Sequence, residues 1–392
     1  MNVLLVAPQP FYQERGTPIA VDLLARTLSD QEHDIDLLVF NEGEDRSYSN
    51  MTIHRVQSWP NLNNIKPGFS LKKLYLDLWL FFKLIKLLRQ KKYHVVHAIE
   101  ESAFFSILLR PFFKYKTVFD IDSSMTTQLL DKFSALRILQ KPLRLIESIP
   151  MRKSDVVVPM CQALADEVKK YRSEHIYLLK DIDLGQSEES RNFHTTTNED
   201  IRDLFINSNP SYPLFMYIGN LESYQGIDLM IQSFAKVIDK GNRANLVIIG
   251  GSDNDQQHYK QLIKKLNKTN NIILAGKRSI AGLSYFMKQA DYLVSPRTKG
   301  VNTPMKIYSY LASGKPVLAT ALATHQQVMK DDVAALAAPT VDDFSATMMH
   351  MINSPEQFKN KAFAAGQLIE KEHSYTAFYS ALNEIYTVLE SL

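Results

Sequence analysis

Residues 291–320 read DYLVSPRTKGVNTPMKIYSYLASGKPVLAT. Asp291–Ser295 is a short apolar run ending in a small polar residue, the pattern of a buried strand. Arg297, Lys299 and Gly300 follow in a loop. Thr303 is suited to an N-cap and Pro304 to a first helical position. The spacing predicts a helix over 304–313, ended by Gly314 and kept from continuing by Pro316. Val317–Ala319 is the next strand. Strand, loop, helix and strand in so short a span is the repeating unit of a parallel sheet. Ligands of such sheets sit beyond the carboxyl ends of the strands. Here that end combines unpaired N–H groups, a positive helix end and three cations, Arg297, Lys299 and Lys306, which together suit an anion. A solvated basic loop is the plainer alternative.

Outward from this stretch, the same alternation runs through both halves of the chain. Toward the second half, strands are expected at 214–218, 246–249 and 272–274, with helices at 227–238, 255–267 and 280–289. Helices near 342–353, 355–371 and 374–390 close the chain. In the first half, VLLVA (3–7), IDLLVF (35–40), YHVVHA (93–98), KTVFDI (116–121) and DVVVP (155–159) read as strands. Helices are expected at 18–29 and near 71–91, 101–109, 135–152 and 161–171. The polar stretch 183–212 carries no strong strand and reads as a connection with a short helix near 199–206. The expected architecture is α/β, with two Rossmann-like, doubly wound domains facing across a cleft. The first covers 1–190 with the terminal helix 374–392, the connection is 191–212, and the second covers 213–373.

Composition narrows the partners. The chain has 392 residues, with 45 Lys plus Arg against 42 Asp plus Glu, a net charge of +3. So balanced a charge argues against a nucleic-acid binder. The single cysteine, Cys161, excludes an internal disulfide and a cysteine-rich metal site and fits a reducing compartment. The first apolar run is short and broken by Pro8 and Pro10, unlike a signal peptide. The longest apolar stretch, 74–88, is interrupted by Asp77, Lys83 and Lys86. A cytoplasmic protein is expected. The segment SLKKLYLDLWLFFKLIKLLRQKKYH reads either as a helix lying on an anionic bilayer or as a buried Rossmann helix with snorkelling lysines. The first reading gives a peripheral contact with the inner membrane through 66–92.

Two further loops lie at expected strand ends. In QPFYQERGTPIA, Gly16 permits an unusual turn, Thr17 suits an N-cap and Pro18 the first helical position. In GNLESYQGID, Gly219 and Gly226 bracket a loop that lets a phosphate approach the backbone. Asp120 and Asp122 stand two apart at a strand end and so point the same way. They read as metal or base chemistry, as a capped loop start, or, preferred for Asp122, as a sugar or acceptor contact. Glu100 and Glu101 follow the YHVVHA strand as acceptor contacts, a base, or solvated surface. His97, inside that strand, reads as a core histidine.

In MYIGNLESYQGIDLMIQSFAKV, LVIIGGSDND and the 290–320 segment, the chain resembles the family 4 glycosyltransferases, which have the GT-B fold. The RGTP loop, VVHAIEE and DIDSS agree with that family's first domain. The resemblance covers nearly the whole length. It implies retaining transfer of a sugar from a nucleoside-diphosphate sugar to a glycan or lipid-linked acceptor, in cell-envelope polysaccharide or glycolipid synthesis. It implies no metal and no other cofactor: a helix terminus and basic side chains meet the leaving diphosphate, where preorganised donors lower the barrier. It also implies a last helix that crosses back to the first domain.

By the same resemblance, Arg297, Lys299, Lys306 and Asp122 take the catalytic places. Gly16, Thr17, Gly219, Asn220, Gln225, Gly251, Lys277, Asn302, Thr303 and Ser309 take the donor side, with Glu100 and Glu101 on the acceptor side. The chain departs from the family in one respect above all. The paired glutamates, which in the family hold the ribose hydroxyls and the donor sugar, fall on Ser309 and on Val301 or Gly300. Asn220 and Gln225 stand near the family's loop Arg and Lys, and Asp122 near its first-domain His. A nucleotide-sugar or glycan binder without turnover, and a nucleotide-sugar epimerase or hydrolase, are the alternatives.

Overall fold

The computed structural model describes residues 1–13, 16–60, 62–63, 65, 70–183, 199–279, 282–300 and 303–392. They form two compact units, Met1–Asp181 with Thr376–Leu392, and Ile182–Tyr375.

The first unit is built on a parallel six-stranded sheet in the order β3-β2-β1-β4-β5-β6. These strands are β1 (Asn2–Val6), β2 (Asp34–Val39), β3 (Met51–Arg55), β4 (Val95–Ile99), β5 (Lys116–Ile121) and β6 (Val156–Pro159). The runs VLLV and VVHAI have no polar face because helices cover both sides, and their residues are buried throughout. The chain crosses one way from β1 to β2 and the other way from β3 onward. Right-handed connections therefore set α1 (Gly16–Asp30) on one face and α2 (Leu71–Gln90), α3 (Ser102–Phe113) and α5 (Gln140–Lys153) on the other, with α4 (Met125–Lys132) preceding α5.

α2 is a core helix, as the second of its two expected readings has it. Ser70 caps it, accepting from the Lys73 N–H, and Leu76, Leu80, Leu84, Leu87 and Leu88 fill the core against Leu4, Val6 and Val96. Leu71, Leu74, Leu78 and Phe82, on its other side, are exposed. Residues 66–69 of the stretch lie outside the described residues. Among the described residues no helix is long and apolar enough to cross a membrane.

The second unit repeats the plan in the order β12-β11-β10-β7-β8-β9, again parallel. Its strands are β7 (Leu214–Ile218), β8 (Asn245–Ile249), β9 (Ile272–Gly276), β10 (Tyr292–Ser295), β11 (Val317–Thr320) and β12 (Ala335–Ala337). After α6 (Gln162–Val168), which belongs to the first unit, the helices of the second are α7 (Ile227–Asp239), α8 (Asp253–Lys265), α9 (Leu283–Gln289), α10 (Lys306–Ala312), α11 (Ala323–Gln326), α12 (Val341–Asn353) and α13 (Pro355–Glu372). Phe215, Tyr217, Phe234 and Phe344 pack one face of the sheet, and Met216, Leu293, Tyr310 and Leu311 the other.

Three expectations change. The stretch expected as the connection belongs, from residue 199 on, to the second unit, because Ile201 and Phe205 of its short 3₁₀ turn are buried in that core; 184–198 lie outside the described residues. The helix expected at 304 begins at Lys306, and the Thr303 hydroxyl donates to the Thr324 carbonyl instead of capping it. The helix expected to be capped by Thr17 already includes Gly16 and Thr17. Gly314 lies at φ +72 just past α10, the expected left-handed end.

Candidate functional site

In the second unit two loops are joined at the ends of β7 and β10. The Thr298 N–H donates to the Tyr224 carbonyl at 2.9 Å. Gly226, at φ +74, brings its backbone so near Pro296 that a Cβ would lie 2.0 Å from the Pro296 oxygen. No other residue type fits that approach. α10 is tied to the same place. Its buried Tyr310 accepts from the Ile218 N–H at 2.7 Å and donates to the Ile218 carbonyl.

This bracing sets Lys306, in the first turn of α10, beside the Gly219 turn. Its ammonium donates to Gln225 Oε1 at 3.1 Å and lies over the Tyr217 ring, 4.0 Å from the centroid. A Cβ on Gly219 would sit 3.3 Å from Nζ and 2.9 Å from the Tyr217 hydroxyl, so the glycine keeps the ammonium approachable from that side. Among the described residues Lys306 has no carboxylate partner. Burial, and then the charge of Arg297, push it well below the usual lysine range. Arg297 stacks over Tyr224 at 5.3 Å, its Nε donates to the Lys299 carbonyl at 2.6 Å, and burial lowers it too. A half-buried ammonium without a carboxylate partner, beside a second cation, is an arrangement that suits an anion.

Behind the loop stands a residue the sequence reading passed over. His325 is fully buried in α11, with Nδ1 2.9 Å from the Thr320 carbonyl and Nε2 3.0 Å from Ser295 Oγ. A carbonyl only accepts, so Nδ1 carries the proton and Nε2 accepts from the serine. Burial lowers the imidazole to about 4, aided by the Lys306 and Arg297 charges, so it is neutral at pH 7. The Thr320 hydroxyl in turn donates to the Arg297 carbonyl at 2.5 Å. One neutral histidine thus ties β10, β11 and the arginine loop together. A lone histidine in ALATHQQ offers no spacing that would reveal this.

The remaining residues expected on the donor side scatter. Gly251 touches the loop, since a Cβ there would meet Leu221 at 2.4 Å. Asn220 is exposed, and its carbonyl accepts from the Tyr217 hydroxyl. Ser309 is half-buried one turn after Lys306. Thr303 is buried and committed to Thr324. The side chains of Lys277 and Lys299 are exposed, and Lys299 joins the site through its carbonyl alone. Asn302 and Val301 lie outside the described residues. Gly16 and Thr17 open α1 in the first unit.

In the first unit the adjacent Glu100 and Glu101 part company. Glu100 takes a left-handed φ of +54, and its carboxylate accepts from Ser123 Oγ at 2.8 Å. Burial first, then Glu101, raise it to about 8. Glu101 turns the other way and pairs with Lys73 at 2.5 Å, beside the buried Asp77, which burial and Glu101 raise to about 8. Asp122 is pushed well above the carboxylate range by burial, Asp120, Glu100 and Asp181, and Asp181 is raised to about 7. The result is a group of carboxyls at the ends of β4 and β5 that keep protons near neutral pH. His97, fully buried, lies 3.4 Å from Asp120 and 3.0 Å from the Tyr386 hydroxyl of α14 (Tyr375–Ser391). Among the described residues no His, Cys, Asp and Glu group is placed to hold a metal ion.

Comparison with known proteins places both units. Residues 15–179 match the family described as Glycosyltransferase Family 4, and residues 199–365 that described as Glycosyl transferases group 1. Among solved structures, a sucrose-phosphate synthase from Thermosynechococcus elongatus matches with a TM-score of 0.75 at 16% identity, covering 100% of this chain and 99% of that one. Anabaena Alr3699/HepE in complex with UDP matches at 0.72 and 15%, covering 100% of both. WaaG, a glycosyltransferase involved in lipopolysaccharide biosynthesis, matches at 0.69 and 13%, covering 98% of this chain and 99% of that one. At such identities the likeness speaks for the fold, which is GT-B. No curated protein matched.

Proposed function

The chain belongs to the group 1 glycosyltransferases, with a first half of the family 4 kind, and from that premise we propose that it moves a sugar from a nucleoside-diphosphate donor to a glycan or lipid-linked acceptor, with retention and without a metal. The observation that carries this is Lys306 with Arg297 beside the Gly219 turn. As the bond to the sugar breaks, negative charge grows on the leaving diphosphate. Lys306 meets it as an ammonium, and Arg297 raises the local potential. Stabilisation that strengthens in the transition state is the kind that raises the rate. In the first unit, Asp122 and Glu100 are assigned to the sugar and acceptor. A carboxyl that keeps its proton can donate to a sugar hydroxyl as well as accept from one.

The HepE complex with UDP supports the donor class, and WaaG's stated role supports an envelope glycan or glycolipid as the product. Ser309, where the family has a ribose-binding glutamate, favours one second reading: a donor or glycan binder that does not turn over. A panel of nucleoside diphosphates and their sugars, read by calorimetry and by donor consumption with lipid-linked acceptors, separates the two. Binding with turnover, and an anomeric centre unchanged by NMR, is the expected result. Binding without turnover on any acceptor selects the second reading, and no binding removes both.

A further inference from the structure

In the first unit α2 packs on α3 and α3 on α5, so the three make one continuous layer on one face of the sheet. Its outer side is apolar where solvated helices are polar. Phe82 of α2 is 55% exposed, Phe112 of α3 76%, Leu145 of α5 60%, and Ile138, in the turn before α5, 88%. Ile146 and Ile149 are exposed beside Leu145. On the other face of the sheet, the exposed positions of α1 are Gly16, Arg26 and Asp30. The exposure therefore belongs to one face, and it is too extensive to be the ordinary scatter of surface leucines.

Along α5 and the turn before it, the exposed charges have one sign. Between 137 and 153, Arg137, Lys141, Arg144, Arg152 and Lys153 are exposed, while Glu147, the one acid in that stretch, is buried. An amphipathic helix with bulky aliphatic residues outward and Lys or Arg alongside has the make-up of a helix lying in a membrane interface. Its cations reach anionic headgroups while their stems lie along the apolar side chains. Pairing with a second copy through this face would set the same cations against each other.

We propose that the α2–α3–α5 layer rests on an anionic lipid surface, with Leu145, Ile146 and Ile149 of α5 entering the acyl boundary and Lys141 and Arg144 at the headgroups. This moves the centre of the membrane contact from α2 to α5. It stands apart from the transfer reading, because binding a vesicle needs neither donor nor acceptor.

Co-sedimentation of the full chain tests it, with vesicles of phosphatidylcholine alone and vesicles containing about one third phosphatidylglycerol. Binding to the second kind alone is expected, weakening as salt is raised. Lys141→Glu with Arg144→Glu, and separately Leu145→Ser with Ile149→Ser, lower it about tenfold or more. All four side chains are exposed, so circular dichroism and the thermal midpoint stay as in the parent. Phe363→Ser, at an exposed site in the second unit, leaves binding unchanged. Equal binding to both vesicles, or binding that survives both double variants, overturns the proposal. So does the absence of vesicle binding when light scattering shows a dimer that the serine variant dissociates, which assigns the face to a second copy. Capture of polyglutamate without vesicle binding likewise overturns it, in favour of an acidic protein.

Discussion

The two sheets share a strand order, yet the groups at the ends of their strands are of opposite kinds, acids in one and bases in the other. In the first unit, Glu100, Asp122 and Asp181 hold their protons above the usual carboxylate range. In the second, Lys306 and Arg297 are pushed the other way. One cause serves both, because burial disfavours whichever form is charged. The shared topology fixes where the loops emerge, and the loop residues choose the sign. Each cluster costs stability in the empty protein and gains from a ligand of matching chemistry: hydroxyls for the carboxyls, phosphate for the cations.

Lys306→Met is the strongest way to break this contrast. Nucleoside-diphosphate affinity is expected to fall about a hundredfold, while the thermal midpoint does not fall, because a half-buried charge without a carboxylate partner has been removed. A lower midpoint with affinity intact in calorimetry would make the lysine structural. The pH dependence follows from the direction of its shift. The folded, empty site sheds the Lys306 proton at lower pH than an unfolded lysine, so its destabilising effect is greatest in acid, begins to fade at the folded value and is gone above that of an unfolded lysine. The diphosphate restores that proton. Affinity therefore declines with rising pH, and calorimetry in buffers of different ionisation enthalpy reads proton uptake.

His325→Ala ranks next. It leaves the Ser295 hydroxyl and the Thr320 carbonyl without their partner, at about 2 kcal/mol, measurable by denaturant unfolding. Because Thr320 holds the Arg297 carbonyl, donor KM is expected to rise several-fold as well, with partial recovery in His325→Gln. Stability lost with KM unchanged would confine the histidine to packing. The mildest effect is expected in the first unit. Folded Glu100 keeps its proton to about pH 8, against a normal 4.5. Its favourable contribution is complete below 4.5 and drains away as pH rises through 8. Glu100→Gln should match the parent at pH 5 and melt higher above pH 8, and identical melting profiles would remove Glu100 from the cluster.

Much of this architecture is legible in the sequence because its strands are buried on both faces. VLLVA and LFMYI announce themselves as unbroken apolar runs. β3, MTIHR, does not, since as an edge strand it keeps Thr52 exposed and His54 and Arg55 half-buried. β12, with three residues, is too short to carry a period. In the site, Lys306 stands out because Thr-Pro precedes it and Gly314 ends its helix. The parting of Glu100 from Glu101 rests on one backbone angle, and the reach of His325 on three elements meeting. Neither leaves a trace in residue order.

α14 belongs to the first unit, where its buried Tyr386 stacks on His33 at 4.9 Å between centroids and meets His97. The half of the chain made first therefore lacks a wall of its interior until residues 376–392 are added. Met1–Asp181 is completed only by a segment nearly two hundred residues downstream, beyond the whole of Ile182–Tyr375. A released chain cut before Thr376 would thus carry a whole second unit and a first one open where Tyr386 meets His33 and His97.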